Sequence, residues 1–313
     1  MNIITKLLAI AFLFLAISFS ACKKDEPKPD DNNTTDVVKN YSGSGSRGDL
    51  ITFAINQTDK TYSVNNETTG KEDNGSYAVM SGALKGIYKI NAMSQNFYAV
   101  ELDDKIIAAN FPTGQNENKI SFGISSSINN VGKESQIAGD YIYIHFTNQN
   151  VNGAVENKEW GVVSVLASGT LYIKPYATGG TGGLTSLSPE EFNLSLPLTS
   201  GDLQGSWSVN GQDKVKLNVG IQGTQYTGFA YPSATSSVFL LDMGTGNGYI
   251  LGLKISSSAV TLSQLAGLYK YVGVVADGSK LGGNALIKSD GTGTCAIESN
   301  GILSDNEYFT GIT

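Results

Sequence analysis

The feature that most restricts the fold of this chain is a two-residue alternation of apolar and polar side chains. In residues 214–221 the apolar members are Val215, Leu217, Val219 and Ile221. Such alternation is typical of an antiparallel strand with one buried face. Turn signals such as Asn74-Gly75 and Asn300-Gly301 separate the alternating runs. The chain is therefore predicted to be all-β, built of antiparallel units that form either a small up-and-down barrel or a β-sandwich.

The chain also repeats itself, which predicts one β unit used about two and a half times. Residues 138–144 resemble residues 266–272, and residues 161–170 align without a gap to residues 283–292. A second set of matches joins the earlier parts of the chain: residues 75–79 resemble 205–209, and 124–127 resemble 255–258.

These matches predict three units after the N-terminal region. Unit 1 spans residues 41–127, and unit 2 spans 137–258 with an insertion near 177–188 that is rich in Gly and Thr. Unit 3 spans 263–313 and is predicted to be incomplete, because it ends about where the block containing Trp207 would begin.

The N-terminus has the pattern of an export signal. Lys6 lies in its charged start, an apolar run covers residues 7–17, and Phe19-Ser20-Ala21-Cys22 follows. Residues 1–21 are therefore predicted to be a signal peptide and no part of the fold. Residues 22–40 contain Pro, Asp, Asn and Thr and few apolar side chains, and are predicted to be a disordered tether.

Residues 19–22 resemble the cleavage box of bacterial lipoproteins, with Phe19 at the position where those proteins most often have a Leu-type residue. The resemblance implies a diacylglyceryl thioether and an acylated amine on Cys22. The segment Lys23-Lys24-Asp25-Glu26 looks like the tag that sends some Gram-negative lipoproteins to the outer face of the outer membrane. This implies a lipid-anchored protein that faces the exterior, with the periplasmic face as the alternative.

Charge and composition exclude several classes of function. The formal net charge is −7 and Arg47 is the single arginine, which argues against a nucleic-acid partner because such binding needs a basic surface. With one His and two Cys, a metal site built from several of these residues is excluded, and no cofactor is predicted. No pattern of a nucleophile, P-loop or dinucleotide site is present, so the chain is predicted not to be an enzyme.

The body of the chain resembles lipocalin-type (calycin) barrels at the start of two strands. The motif Ala-Gly-x-Tyr opens one of them and Gly205-Ser206-Trp207 opens another. The later motifs of that family, including an Arg near the end of the barrel, are absent. The resemblance implies a small barrel, while a sandwich accounts for the same pattern.

Four residues are candidates for ligand binding. Tyr141, Tyr143 and His145 alternate along one strand and share a face, and Trp160 follows a loop, where an exposed aromatic ring would stack on a sugar. Each also has a structural interpretation as part of an aromatic core. The tripeptide Arg47-Gly48-Asp49 matches an integrin-binding motif, but a match of three residues is expected often by chance.

The predicted function is that of a cell-envelope lipoprotein whose β units bind or display without catalysis. Its partners would be the membrane, through the lipid, and a glycan, a small apolar ligand or an envelope protein. Two alternatives are a structural spacer with no ligand and a hydrolase whose site has no recognisable pattern.

Overall fold

The computed structural model describes residues 37–92, 95–102, 105–110, 120–126, 134–146, 158–177, 197–201, 203–209, 216–232, 237–255, 262–274, 279–299 and 301–309. The predicted signal peptide, Cys22 and most of the tether lie outside these residues, as does nearly all of the insertion predicted near 177–188. The tether was predicted to extend to residue 40, but residues 38–40 already belong to the first strand, because they pair with residues 54–56. The described part of the chain is almost entirely antiparallel β structure, as the alternation predicted.

The first sheet, called sheet 1, contains nine strands in the order β4-β3-β2-β1-β9-β8-β7-β6-β5. Its strands are β1 (Val38–Gly45), β2 (Leu50–Asn56), β3 (Thr61–Asn66), β4 (Lys71–Ser76), β5 (Ala78–Val79), β6 (Ile87–Ala92), β7 (Gln95–Leu102), β8 (Ile106–Ala109) and β9 (Ser121–Ser125), with a 3₁₀ helix at Gly82–Leu84. The two strands at the ends of this sheet, β4 and β5, are separated in the chain by Tyr77 alone. The sheet must therefore curve so strongly that its two edges come close together.

The second sheet is a closed up-and-down barrel of eight strands, called barrel 2. Its strands are β10 (Gly139–Phe146), β11 (Lys158–Val165), β12 (Thr170–Ala177), β13 (Leu203–Val209), β14 (Lys216–Ile221), β15 (Thr224–Tyr231), β16 (Val238–Asp242) and β17 (Tyr249–Lys254), preceded by a 3₁₀ helix at Glu134–Gln136. Pairing of β10 with β17 closes the ring. Of the two architectures that the sequence left open, this unit is the barrel.

The third sheet, called sheet 3, contains four strands in chain order. These are β18 (Gly267–Val274), β19 (Lys280–Ile287), β20 (Gly293–Ser299) and β21 (Ile302–Phe309), preceded by an α-helical turn at Leu262–Leu265. Within the described ranges this turn is the one α-helical segment, and none of the helices there is long and apolar enough to cross a membrane.

The residues that repeat in the sequence occupy equivalent positions in the structure. Tyr143 pairs with Gly161 between β10 and β11, and Tyr271 pairs with Gly283 between β18 and β19. In both pairs the tyrosine ring lies over the glycine, where a Cβ atom would come within 2.7 Å and 2.3 Å of ring atoms respectively. Glycine is needed at both positions because the ring occupies the space of a side chain.

The turn that follows the second strand of each sheet is also shared. Lys60, Gly169 and Gly291 occupy it with φ angles of 56°, 82° and 79°. The backbone N–H of Tyr77 donates to Lys60 O at 2.8 Å, and that of Trp207 donates to Gly169 O at 2.8 Å. The repeat therefore includes backbone geometry as well as side-chain pattern.

Buried apolar side chains form a core inside each sheet and one further core that all three sheets share. The shared core draws Tyr98 and Phe122 from sheet 1, Leu240 and Tyr249 from barrel 2, and Val272 from sheet 3. Sheet 1 is thus packed on the outside against both of the other sheets, which explains why every residue of β8 and β9 is buried.

Candidate functional site

The interior of barrel 2 is the enclosed space that a barrel-type ligand would occupy, and large side chains fill most of it. Trp207 is 5% exposed, and its Nε1–H donates to Leu166 O at 3.0 Å. The rings of Tyr141 and Phe239 meet edge to face at 5.1 Å between centroids. Buried Trp and Tyr side chains normally require such polar partners and ring contacts, so this is a packed core.

A cavity of about 30 Å³ remains within this core. Its walls include Tyr143, Trp207 and Phe239, and no polar surface lines it. A cavity of this size has room for one or two water molecules, and an apolar one is expected to be dry. Sites for drug-sized ligands are about ten times larger or more.

The structure does not bring the four predicted ligand-binding residues together. Tyr141 and Tyr143 are directed into the interior of barrel 2 and are fully buried. The hydroxyl of Tyr141 donates to Ile137 O. Burial raises the pKa of the Tyr141 hydroxyl, so it is protonated at neutral pH.

Trp160 is separated from those two tyrosines by the sheet, whereas His145 follows them on the same face of β10, near the end of the strand. Trp160 pairs with Ile144, so it is on the opposite face of the strands from Tyr143, and it is 9% exposed. Of the two interpretations of Trp160 that the sequence left open, this burial favours packing over an exposed platform. His145 is at the end of β10, where its Nε2 is 2.6 Å from Asn247 O. Ligand binding by these residues remains a prediction.

A polar cluster inside sheet 1 was not found from the sequence. The Glu101 carboxyl accepts from Lys39 Nζ at 2.9 Å through Oε1 and from Gln57 Nε2 at 3.3 Å through Oε2. The hydroxyl of Tyr41 donates to Oε1 and that of Tyr88 to Oε2. The Lys39 and Glu101 side chains are 11% and 7% exposed, so this ion pair is largely shielded from solvent.

The negative charge of Glu101 helps to raise the pKa of the neighbouring tyrosines. Burial and the hydrogen bond to Glu101 raise the pKa of Tyr88, and burial and the nearby Glu101 charge raise that of Tyr77. The rings of these two tyrosines are 4.8 Å apart. The sequence signal for the cluster was present but faint: Lys39 precedes Tyr41, and Glu101 follows Phe97 and Ala99, each at inward positions of an alternating strand.

A second polar cluster joins sheet 1 to barrel 2. Ser44 Oγ donates to Asp242 Oδ2 at 2.5 Å, and the Gly246 N–H donates to Arg47 O at 2.6 Å. Burial raises the pKa of Asp242, and the hydrogen bonds from Ser44 and the Gly244 N–H oppose that rise. No group of three or more His, Cys, Asp or Glu side chains that could hold a metal is found in the described part of the chain.

The Arg47-Gly48-Asp49 tripeptide is part of this junction. Asp49 is 1% exposed, and Asn66 Nδ2 donates to its Oδ2 at 2.9 Å. A Cβ atom on Gly48 would lie 1.8 Å from Gly244 O, so the turn is pressed against barrel 2. The tripeptide does not form the exposed loop that an integrin-type motif requires.

Sheet 3 is attached to sheet 1 by a third set of polar contacts. Asn110 Nδ2 donates to Gly273 O at 3.0 Å and to Leu281 O at 3.2 Å, while its Oδ1 accepts from the Tyr98 N–H at 2.6 Å. Glu298 forms an ion pair with Lys89. Buried polar groups that are satisfied in this way fix the position of one sheet on the other.

No model of a protein family matches the chain, and no curated protein matches it.

Proposed function

We propose that this chain is a lipid-anchored protein of the bacterial cell envelope whose β units form a rigid, non-catalytic body for display or spacing at the cell surface. The anchor is Cys22, and the membrane is the partner that its lipid would engage. The exterior face of the outer membrane is the proposed location, in keeping with the acidic tag after Cys22.

The observation that carries the proposal is the core shared by all three sheets. Repeat units joined by exposed linkers move independently, whereas units that bury apolar surface and hydrogen bonds between them move as one body. Filled interiors agree with this role, because they leave little space in which a ligand could bind. We therefore favour the spacer or display function over ligand binding inside the barrel.

The lipid anchor is tested by labelling cells with palmitate. Cys22→Ala is expected to abolish the label, and Cys295→Ala, which removes the other cysteine, is the matched control and should keep it. Protease added to intact cells should remove the protein if it faces outward. A Cys22→Ala protein that still takes up palmitate would overturn the anchor, and full protection from the protease would place the protein on the periplasmic face.

Binding of a small apolar ligand is the second candidate, because the cavity in barrel 2 is lined by apolar side chains alone. Such a ligand would raise the melting temperature of the protein in proportion to the logarithm of its concentration. Trp207→Phe would enlarge the cavity and strengthen this response. Where the exposure of side chains is described, the exposed large apolar side chains are all aliphatic and none is an aromatic ring.

A further inference from the structure

The cluster inside sheet 1 combines an amine, a carboxamide and a carboxylic acid in one buried place. Lys39 Nζ contacts Oε1 of Glu101, and Gln57 Nε2 contacts Oε2 of the same group. The carboxyl therefore bridges an amine and a carboxamide, two groups that can form an amide bond with loss of ammonia.

The strand register explains why Lys39 and Gln57 come together. Lys39 pairs with Ile55 between β1 and β2, and the Gln57 N–H donates to Val37 O at 3.0 Å, so Gln57 continues the pairing. Since alternate residues share a face, Gln57 is on the same inward face as Ile55 and Lys39. Diagonal neighbours of this kind are within reach of long side chains.

From this geometry we propose that Lys39 and Gln57 form an intramolecular isopeptide bond, with Glu101 as the group that transfers the protons. The Nζ atom gives a proton to Oε1 and attacks Cδ of Gln57 as the neutral amine. The new bond is Nζ–Cδ, and the Cδ–Nε2 bond breaks. Two of the three ammonium protons pass through Glu101 to Nε2, which leaves as ammonium, and Glu101 returns to its initial charge. No oxidant or other reactant is needed.

The surroundings of the cluster suit this reaction. The hydroxyls of Tyr41 and Tyr88 hold one carboxyl oxygen each and so fix the orientation of Glu101. Burial of the amine and the carboxyl excludes water, which would otherwise compete as the nucleophile. The bond would cross-link the first residues of β1, which were predicted to end the tether, to the end of β2.

Peptide mass spectrometry of the full chain, purified in detergent, denatured and digested with trypsin, tests the proposal. Trypsin does not cut after an acylated lysine, so the bond should give residues 25–47 joined to residues 48–60. We expect this species at the summed mass of the two peptides less about 17 Da, the mass of the ammonia that leaves in the acyl transfer. Separate peptides 25–39, 40–47 and 48–60 in the wild-type protein would overturn the proposal.

Variants separate the roles of the three residues. Gln57→Ala removes the acyl group, and Glu101→Gln keeps both reacting groups but removes the proton carrier, so both variants should give separate peptides. Glu298→Gln is the matched control: it alters a second Lys–Glu pair, whose carboxyl contacts Lys89 and Tyr98, and should keep the link. A link that persists in Glu101→Gln would overturn the role of Glu101. If a variant fails to fold, the wild-type digest still decides whether the bond exists.

Discussion

Asp242 is a buried carboxylate at the contact between sheet 1 and barrel 2, and it is 6% exposed. Its hydrogen bonds from Ser44 and Gly244 compensate for part of the lost hydration. Its pKa is nevertheless raised, so the ionised form is less favourable in the folded protein than in the unfolded chain. At neutral pH this residue therefore costs stability, although it specifies how the two sheets meet.

We predict that Asp242→Asn increases the free energy of unfolding at pH 7, by on the order of 1 kcal/mol, the usual size of a change at one buried hydrogen bond. Asn keeps an oxygen for the Gly244 N–H and can donate to Ser44 Oγ. The pKa of Asp242 is higher in the folded protein than in the unfolded chain. The free energy of unfolding of the wild type therefore decreases as the pH rises from the unfolded-state pKa to the folded-state pKa of this group. The advantage of Asn should therefore shrink as the pH is lowered toward the usual range for Asp.

Urea denaturation at several pH values measures this difference. Asp290→Asn is the control of opposite sign, since hydrogen bonds from Thr292 lower the pKa of the exposed Asp290 carboxyl. Removing that charge should give no gain at pH 7. An Asp242→Asn protein that is less stable than the wild type at pH 7 would contradict the argument.

At the scale of elements, the turn shared by the three sheets has Gly in barrel 2 and sheet 3 but Lys in sheet 1. Gly169 and Gly291 have left-handed backbone conformations at little cost, whereas Lys60 has the same conformation with a side chain. A non-glycine residue in this region costs about 1–2 kcal/mol. The repeat thus keeps the backbone shape even where the preferred residue is missing.

We predict unequal effects from substitutions at equivalent positions of this turn. Gly169→Ala should lower the free energy of unfolding by about 1–2 kcal/mol, because the new Cβ is strained in the left-handed region. Lys60→Gly should change it by less than about 1 kcal/mol, because relief of strain is offset by the extra freedom of glycine in the unfolded chain. Urea denaturation of both variants checks this, and equal losses would refute the equivalence of the turns.

Much of the strand pattern could be predicted from the sequence, because alternation and repeats are local signals. Leu217 and Val219 do face the interior of barrel 2, and the gapless match of residues 161–170 with 283–292 falls on β11 and β19. The polar clusters were not predicted, because the sequence gives at most a faint signal for them. Lys39 and Glu101 are 62 residues apart and each is ordinary in its own strand; only the closing of sheet 1 brings them together.

For the whole molecule, the central fact is that sheet 1 contacts both neighbours. Ser44 joins it to barrel 2, and Asn110 joins it to sheet 3, while the shared core continues between these contacts. Interfaces that contain satisfied buried polar groups tolerate fewer arrangements than purely apolar ones. The three sheets are therefore held in one defined arrangement by these contacts.

We predict that Asn110→Ala loosens sheet 3 and leaves barrel 2 unchanged. Asn110 is fully buried, and its loss leaves the Gly273 and Leu281 carbonyls and the Tyr98 N–H without this partner. Each buried group left without a partner lowers the stability of the fold by about 1–3 kcal/mol. Amide hydrogen exchange in β7, β18 and β19 should therefore become faster. Asn91→Ala, at an exposed position of β6, is the matched control. Equal quickening in barrel 2 would mean that the three sheets open only together, and unchanged exchange in sheet 3 would mean that Asn110 does not hold it.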